Sequence, residues 1–292
     1  LSGVFSHSRL ASFEDCPRKF EYRYVLRVPS ETESIEQFVG KRVHEVLERL
    51  YVAVGKGLVP SLAQVLRRFQ LLWDEHYEAE RVRIARPENS VASYRGLGEQ
   101  CLTNYYRRCY PFDHGETVDV ERRVRFDLDA EGAYRMQGVI DRIARAPDGS
   151  LEIHDYKTSR RMPSQEALDA DRQLALYQIG VSRLFGDEHP IRLVWHYLLP
   201  DRVRTSSRTP EQLETLRVRT IELIDRIRET TVFEPRPGPL CGWCEYRDLC
   251  PAVGGRREAE ATTVAAPKPS RAEAAAPALT PATARQLTLP LA

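Results

Sequence analysis

Apolar residues recur every three to four positions from Ile35 to Val54, placing Ile35, Phe38, Val39, Val43, Val46, Leu47, Leu50, Tyr51 and Val54 on one broad face. That period predicts a long amphipathic helix. It returns over 61–80, with Ser61 at the N-cap and Leu62, Val65, Leu66, Phe69, Leu72 and Trp73 as the stripe, and over 93–109. At Thr117 the period drops to two. Val118, Val120, Val124, Phe126 and Leu128 alternate with charged residues, which predicts a half-buried antiparallel strand. Further strands are expected over 134–145, 150–157 and 191–199, with helices over 164–185 and 210–230. Near the start, Ser8 is the expected cap of a short helix that turns Leu10 and Phe13 inward and stops before Cys16-Pro17. The order is helix, three strands, helix, strand, with helical insertions ahead of the sheet: an α/β fold.

Polar residues break this pattern most visibly between Gly138 and Lys157. Two strands joined by the turn Pro147-Asp-Gly-Ser150 carry Asp141 on the first, and Asp155 and Lys157 on the second. Residues two apart on a strand share a face, so Asp155 and Lys157 project together, while Glu152 faces away from them. Carboxylates and an ammonium on a half-buried sheet are costly unless a cation and an anion compensate them. A Mg²⁺ site acting on phosphodiesters is the expectation. His44 lies one turn after Gly40 and one before Glu48, at the edge of the helical stripe. Its neighbourhood leaves two readings open, a core-margin histidine or a metal ligand. Gln173 and Tyr177, four apart, share a helix face and also read as ordinary partly exposed residues.

Charge excludes little: 43 basic and 42 acidic side chains nearly cancel. Any basic surface must therefore be local, as at Arg122-Arg123-Val-Arg125. No run of about 18 apolar residues predicts a membrane span. The N-terminal Leu-Ser-Gly-Val-Phe-Ser-His has no charged region followed by an apolar one, so no signal peptide is expected, and the expected compartment is a reducing cytoplasm. There, clustered cysteines more often bind metal than pair. Cys241, Cys244 and Cys250 form C-x₂-C-x₅-C followed by Pro251, a metal-ligand spacing with Cys16 as the best fourth ligand. Spacing alone does not separate zinc from an iron–sulfur cluster. Cys101 and Cys109, about 12 Å apart along a helix, are expected to be structural. Residues 252–284 are Ala- and Pro-rich without aromatics, the composition of a disordered linker. At its end, 285–292 holds Gln286-Leu-Thr-Leu-Pro-Leu291, which reads as a short peptide ligand for a partner's groove.

Gly40-x₃-His44, Gly138-x₂-Asp141, Asp155-Tyr-Lys157, Gln173-x₃-Tyr177 and the four cysteines, in that order over residues 5–251, resemble the RecB-like branch of the PD-(D/E)XK nucleases. The likeness is narrowest to iron–sulfur members of the Cas4 and AddB nuclease-domain type. The resemblance implies a restriction-endonuclease-like core over 1–251 and a metal-dependent DNA exonuclease. It implies Mg²⁺ or Mn²⁺ held by His44, Asp141, Asp155 and the Tyr156 carbonyl, with Lys157 as catalytic lysine and Gln173 and Tyr177 in support. It implies a [4Fe–4S] cluster on Cys16, Cys241, Cys244 and Cys250 that staples the two ends of the domain. DNA ends or single strands are the implied substrate. Gln286–Leu291 is similar to the hexapeptide that binds the bacterial sliding clamp, which points to repair or replication. A CRISPR-adaptation nuclease and a non-catalytic Cys₄ zinc adaptor on DNA or the clamp are the rival expectations.

Overall fold

Strand alternation and one crossover helix pair build the sheet that carries the site. The structure is a computed structural model that describes residues 3–86, 88–186 and 189–253. Its helices are α1 (His7–Asp15), α2 (Pro17–Phe20), α3 (Ile35–Val54), α4 (Leu62–His76), α5 (Val91–Cys109), α6 (Gln165–Asp169), α7 (Arg172–Phe185) and α8 (Pro210–Glu229). The strands are β1 (Glu33–Ser34), β2 (Val82–Arg83), β3 (Glu116–Asp127), β4 (Arg135–Arg145), β5 (Leu151–Lys157), β6 (Ile191–Tyr197) and β7 (Arg202–Ser206). Strands β3 to β7 lie in chain order in one sheet; β5 and β6 are parallel and the other neighbours antiparallel. A parallel pair needs a crossover, and α6 and α7 supply it.

Two apolar cores sandwich the sheet. One joins α1, α7 and α8 to Leu151 and Ile153 of β5. The other joins α3, α4 and α5 to Tyr156 of β5. Alternation along β5 thus gives Asp155 and Lys157 the α7 side, and His154 and Tyr156 the α5 side.

The expected α3 coincides with the observed helix, and capping boxes at Ser34 and Ser61 fix the starts of α3 and α4. Four local expectations need correction. The cap of α1 is Ser6, whose Oγ accepts from the Arg9 N–H at 3.2 Å, not Ser8. The helix expected over 61–80 ends at His76. The helix expected over 164–185 is two, because Asp171 turns the chain out of helical geometry and caps α7. The hairpin strand β7 was not foreseen, since Arg202–Ser206 carries a single apolar residue. Cys101 is fully buried among the α3–α5 side chains, and burial pushes its thiol up to about 12, as suits a structural cysteine. The chain closes in a short turn at Pro251–Val253. The rest of the expected linker and the clamp-like peptide Gln286–Leu291 lie outside the described residues.

Candidate active site

A fork in the sheet makes the site. The antiparallel ladder between β4 and β5 runs from Arg145–Leu151 to Arg142–His154 and stops there. Beyond it β4 exchanges backbone hydrogen bonds with Phe5: Phe5 N–H donates to Arg135 O at 2.8 Å and Gln137 N–H to Phe5 O at 2.7 Å. Between these two partners, Gly138 to Asp141 face an opening. The Asp141 side chain stands in for the missing ladder: its Oδ2 accepts from the Tyr156 N–H at 2.8 Å. Its Oδ1 lies 3.4 Å from His44 Nδ1, and His44 Nε2 is 2.8 Å from the Tyr156 carbonyl. The expected ligands His44 and Asp141 therefore meet at one residue of β5, Tyr156, whose N–H and carbonyl belong to successive peptide units. Burial pulls the His44 imidazole down, but Asp141 outweighs it and raises the pKa to about 9.

Asp155 and Lys157 form the adjoining half. Lys157 Nζ lies 3.0 and 2.8 Å from the two Asp155 carboxylate oxygens and donates to Gln173 Oε1 at 3.0 Å. Burial pushes the Asp155 carboxyl above the usual carboxylate range against the pull of Lys157. The nearer oxygen, Oδ2, is buried with the ammonium as its close partner and keeps a further lone pair without a hydrogen bond. Such an atom suits a cation. Tyr177 closes the opening from α7: a Cβ at Gly138 would sit 2.2 Å from its ring, so only glycine fits beneath it. Gly40 has no such necessity; a Cβ there would make ordinary contact with Thr158 at 3.7 Å.

Glu121 of β3 is the site residue that sequence reasoning missed. It falls between the registered pairs Val120–Arg142 and Arg122–Ile140, across from Asp141. Its φ of +46° lies in the left-handed region, which costs a non-glycine residue roughly 1 kcal/mol. The twist reverses the strand's faces. Val118, before a register shift at Thr117/Asp119, packs with the α7 core; Val120 packs with the α3–α5 core; and past Glu121, Val124 and Phe126, of the same parity, return to the α7 core. One ligand atom each from His44, Glu121 and Asp141 lie mutually within 4.8 Å. Burial, then the nearby Asp141 charge, raises Glu121 to about 7. A single uninterrupted alternation over 118–128 concealed this turn, and no glycine or asparagine marked it. Glu152 lies outside the group, on the other face with His154 at 3.3 Å, and Asp148 binds Ser150 in the hairpin turn.

Behind the site, Arg142 Nε donates to the Tyr156 hydroxyl at 3.2 Å, and Arg142 Nη2 lies 3.0 Å from His154 Nε2. His154 Nδ1 lies 2.9 Å from His196 Nε2. These groups hold the Tyr156 side chain on the face opposite Asp155.

The four expected cysteine ligands come together across the chain's ends. Cys16, Cys241, Cys244 and Cys250 line one small cavity of about 60 Å³. The Arg236 N–H points at Cys16 Sγ and the Gly238 N–H at Cys241 Sγ, each at 3.4 Å. Protein contacts lock the same junction: Lys19 pairs with Glu245 at 3.1 Å, Tyr246 donates to Val28 O at 3.1 Å, and Phe233 packs on Phe13 and Phe20. Four thiols with backbone N–H groups aimed at sulfur suit a thiolate-bound metal centre.

Fold and site together define a class: an α/β protein with a lysine beside a group of acid and imidazole side chains able to hold a divalent cation. A family model makes this specific. The model described as the PD-(D/E)XK nuclease superfamily matches residues 4–251, and the chain belongs to that superfamily of divalent-metal nucleases. No curated protein matches the sequence. Solved structures similar to the chain include SSO0001, at 15% identity and TM-score 0.40 with 86% of each chain covered. They also include a candidate exonuclease from Eubacterium rectale, at 14% identity and TM-score 0.48 with 83% of this chain and 87% of that chain covered. Among the described residues no helix is long and apolar enough to cross a membrane.

Proposed function

We propose that the chain is a metal-dependent deoxyribonuclease of the RecB-like, iron–sulfur-bearing branch, an exonuclease acting in DNA repair or replication. The observation that carries this reading is the meeting of His44 and Asp141 at the backbone of Tyr156, with Lys157 held beside them by Asp155 and Gln173. His44, Asp141, Asp155 and the Tyr156 carbonyl would hold Mg²⁺ or Mn²⁺, with Glu121 within reach of the same site. Bound there, the ion supplies Lewis-acid stabilisation of the phosphoryl oxygens and a more acidic water. Lys157 keeps its proton, because the Asp155 charge overcomes burial and raises its pKa. It therefore offers an ammonium to the negative charge that builds on the phosphate. Gln173 fixes that ammonium, and Tyr177 holds Gln173 and covers Gly138. The test is cleavage of end-labelled single- and double-stranded DNA with Mg²⁺ or Mn²⁺. Wild type should cut, and Asp155→Ala and Lys157→Ala should each lose at least about a hundredfold; equal activity in all three rejects the assignment.

For the cysteines we read a [4Fe–4S] cluster rather than zinc. What supports it is the likeness of the C-x₂-C-x₅-C spacing, with Cys16 as distant fourth ligand, to the iron–sulfur members of the branch, and the cavity that all four cysteines line. A brown protein with iron and sulfide by analysis is expected; stoichiometric zinc would overturn this part. Residues 252–284 would act as a tether and Gln286–Leu291 as a clamp ligand. Deleting 286–292 should abolish clamp pull-down and leave nuclease activity intact.

A further inference from the structure

The residue after Lys157 opens a second feature. Thr158 lines a groove of about 340 Å³ together with Arg86, Tyr94, Arg160, Arg161 and Trp243. Arg86, Arg160 and Arg161 are exposed, and Glu36, the acid in the lining, accepts from the Tyr94 hydroxyl at 3.0 Å. The groove therefore has a surplus of positive charge in a chain that is nearly neutral as a whole. Trp243 comes from the loop between Cys241 and Cys244. The Arg86 guanidinium lies 5.6 Å from its ring centroid, so the two form an aromatic–cation pair. Of the chain's three tryptophans, Trp73 and Trp195 are 3% and 1% exposed, whereas Trp243 is only half-buried. The Lys157 partner Gln173 lines another groove with Arg123 and Arg125. Basic residues thus line the grooves next to both Thr158 and Gln173.

We infer that the Thr158–Trp243 groove binds the single-stranded segment of a DNA substrate, with a base stacked on the Trp243–Arg86 pair and phosphates on Arg160 and Arg161. The inference rests on the nuclease reading and adds where the strand runs and in what form. A base offers its face to a tryptophan only when it is out of a duplex stack, whereas phosphates are available in either form. An aromatic–arginine pair beside two arginines is thus suited to an unpaired strand. The groove joins the cysteine module to the catalytic fork, so a stacked base would lie on the loop that the cysteines anchor.

The chain reports on this groove through its own fluorescence. Binding is measured without divalent cation, so that no cutting occurs, by titrating the full chain with a short fluorescein-labelled oligothymidylate and with its blunt duplex. Tryptophan emission follows unlabelled DNA in parallel. The oligothymidylate should quench the emission, and the duplex should quench it much less. Trp243→Phe should abolish the quenching, and Trp243→Leu should weaken single-strand binding about tenfold. Arg160→Ala with Arg161→Ala, both at exposed positions, should lower the slope of log affinity against log salt by about 1.4, or about 0.7 per lost phosphate contact. Single-strand binding without quenching, equal quenching by the duplex, or an unchanged salt slope in the arginine variant overturns the inference. Such results leave the nuclease reading intact, because that reading stands or falls on metal-dependent cleavage by wild type against Asp155→Ala.

Discussion

Asp155 and Lys157 are unequal partners, and the inequality is testable. The Asp155 side chain is 6% exposed and that of Lys157 35%. Removing the carboxylate leaves an ammonium that can turn toward water. Removing the ammonium leaves a buried carboxylate that must take up a proton or stay unpaired. Lys157→Ala should therefore lower stability by about 2 kcal/mol, and Asp155→Ala by clearly less, in urea denaturation at neutral pH. Equal losses would show that the pair is effectively solvated. Glu121 belongs to the same scale. Glu121→Gln should weaken Mn²⁺ binding by calorimetry at least several-fold, since it removes a charged oxygen within 4.8 Å of ligand atoms of His44 and Asp141. Gly138→Ala should displace the Tyr177 ring, cost about 1–3 kcal/mol, and reduce cleavage more than binding.

At the scale of elements, the cleft depends on two strands parting at one residue. The β4–β5 ladder stops at Arg142–His154, and the Asp141 carboxylate takes over the backbone's role. The back of the fork is a buried polar layer in which burial holds His154 and His196 well below the ordinary imidazole range, with the Arg142 charge reinforcing both. Each folds as the neutral ring. The unfolded chain takes up their protons as pH falls through about 6.5 while the folded chain does not. Their contribution is thus complete above about 6.5 and is lost progressively below it, by up to about 1.4 kcal/mol per histidine per pH unit. Glu121, Asp155 and His44 are shifted the other way and gain stability over the same range, so the loss is read as a difference. In thermal melts between pH 7.5 and 5.5, wild type should lose more stability on acidification than His196→Gln. An unchanged slope in that variant would mean that His196 titrates freely. Helix packing adds a contrast: a Cβ at Gly98 of α5 would sit 2.3 Å from the Phe69 ring of α4, far from the fork.

For the whole molecule, the cysteine module closes the chain on itself. Cys16 at the end of α1 meets cysteines more than two hundred residues later, with aromatic and ionic contacts around them. A metal centre bound there would stabilise the folded chain by mass action and by joining Cys16 to the 241–250 segment. Cys250→Ser should lower Tm and weaken DNA binding while the fork residues stay in place. If Tm and binding match wild type, the centre has no structural role. The order of the motifs along the chain was legible because each sits on an element whose period is plain: His44 on a helix, Asp155 and Lys157 on a strand, Gln173 and Tyr177 on a helix. Their convergence was legible through family resemblance alone.

The sequence by itself determined the class, α/β, because helical and strand periods are local properties of side-chain pattern. It also determined which strand carries the carboxylate and lysine, because alternation puts residues two apart on one face. Tertiary structure decided the rest. Whether His44 was a core-margin residue or part of the site depended on where α3 meets the end of the β5 ladder, 112 residues away. Glu121 entered the site on a stretch of β3 where a register shift and a left-handed residue each change the strand's faces, which alternation cannot register. Trp243 gained its setting only when the C-terminal cysteines folded back beside Thr158. In each case the deciding contact spans residues far apart in the chain, so no local pattern encodes it.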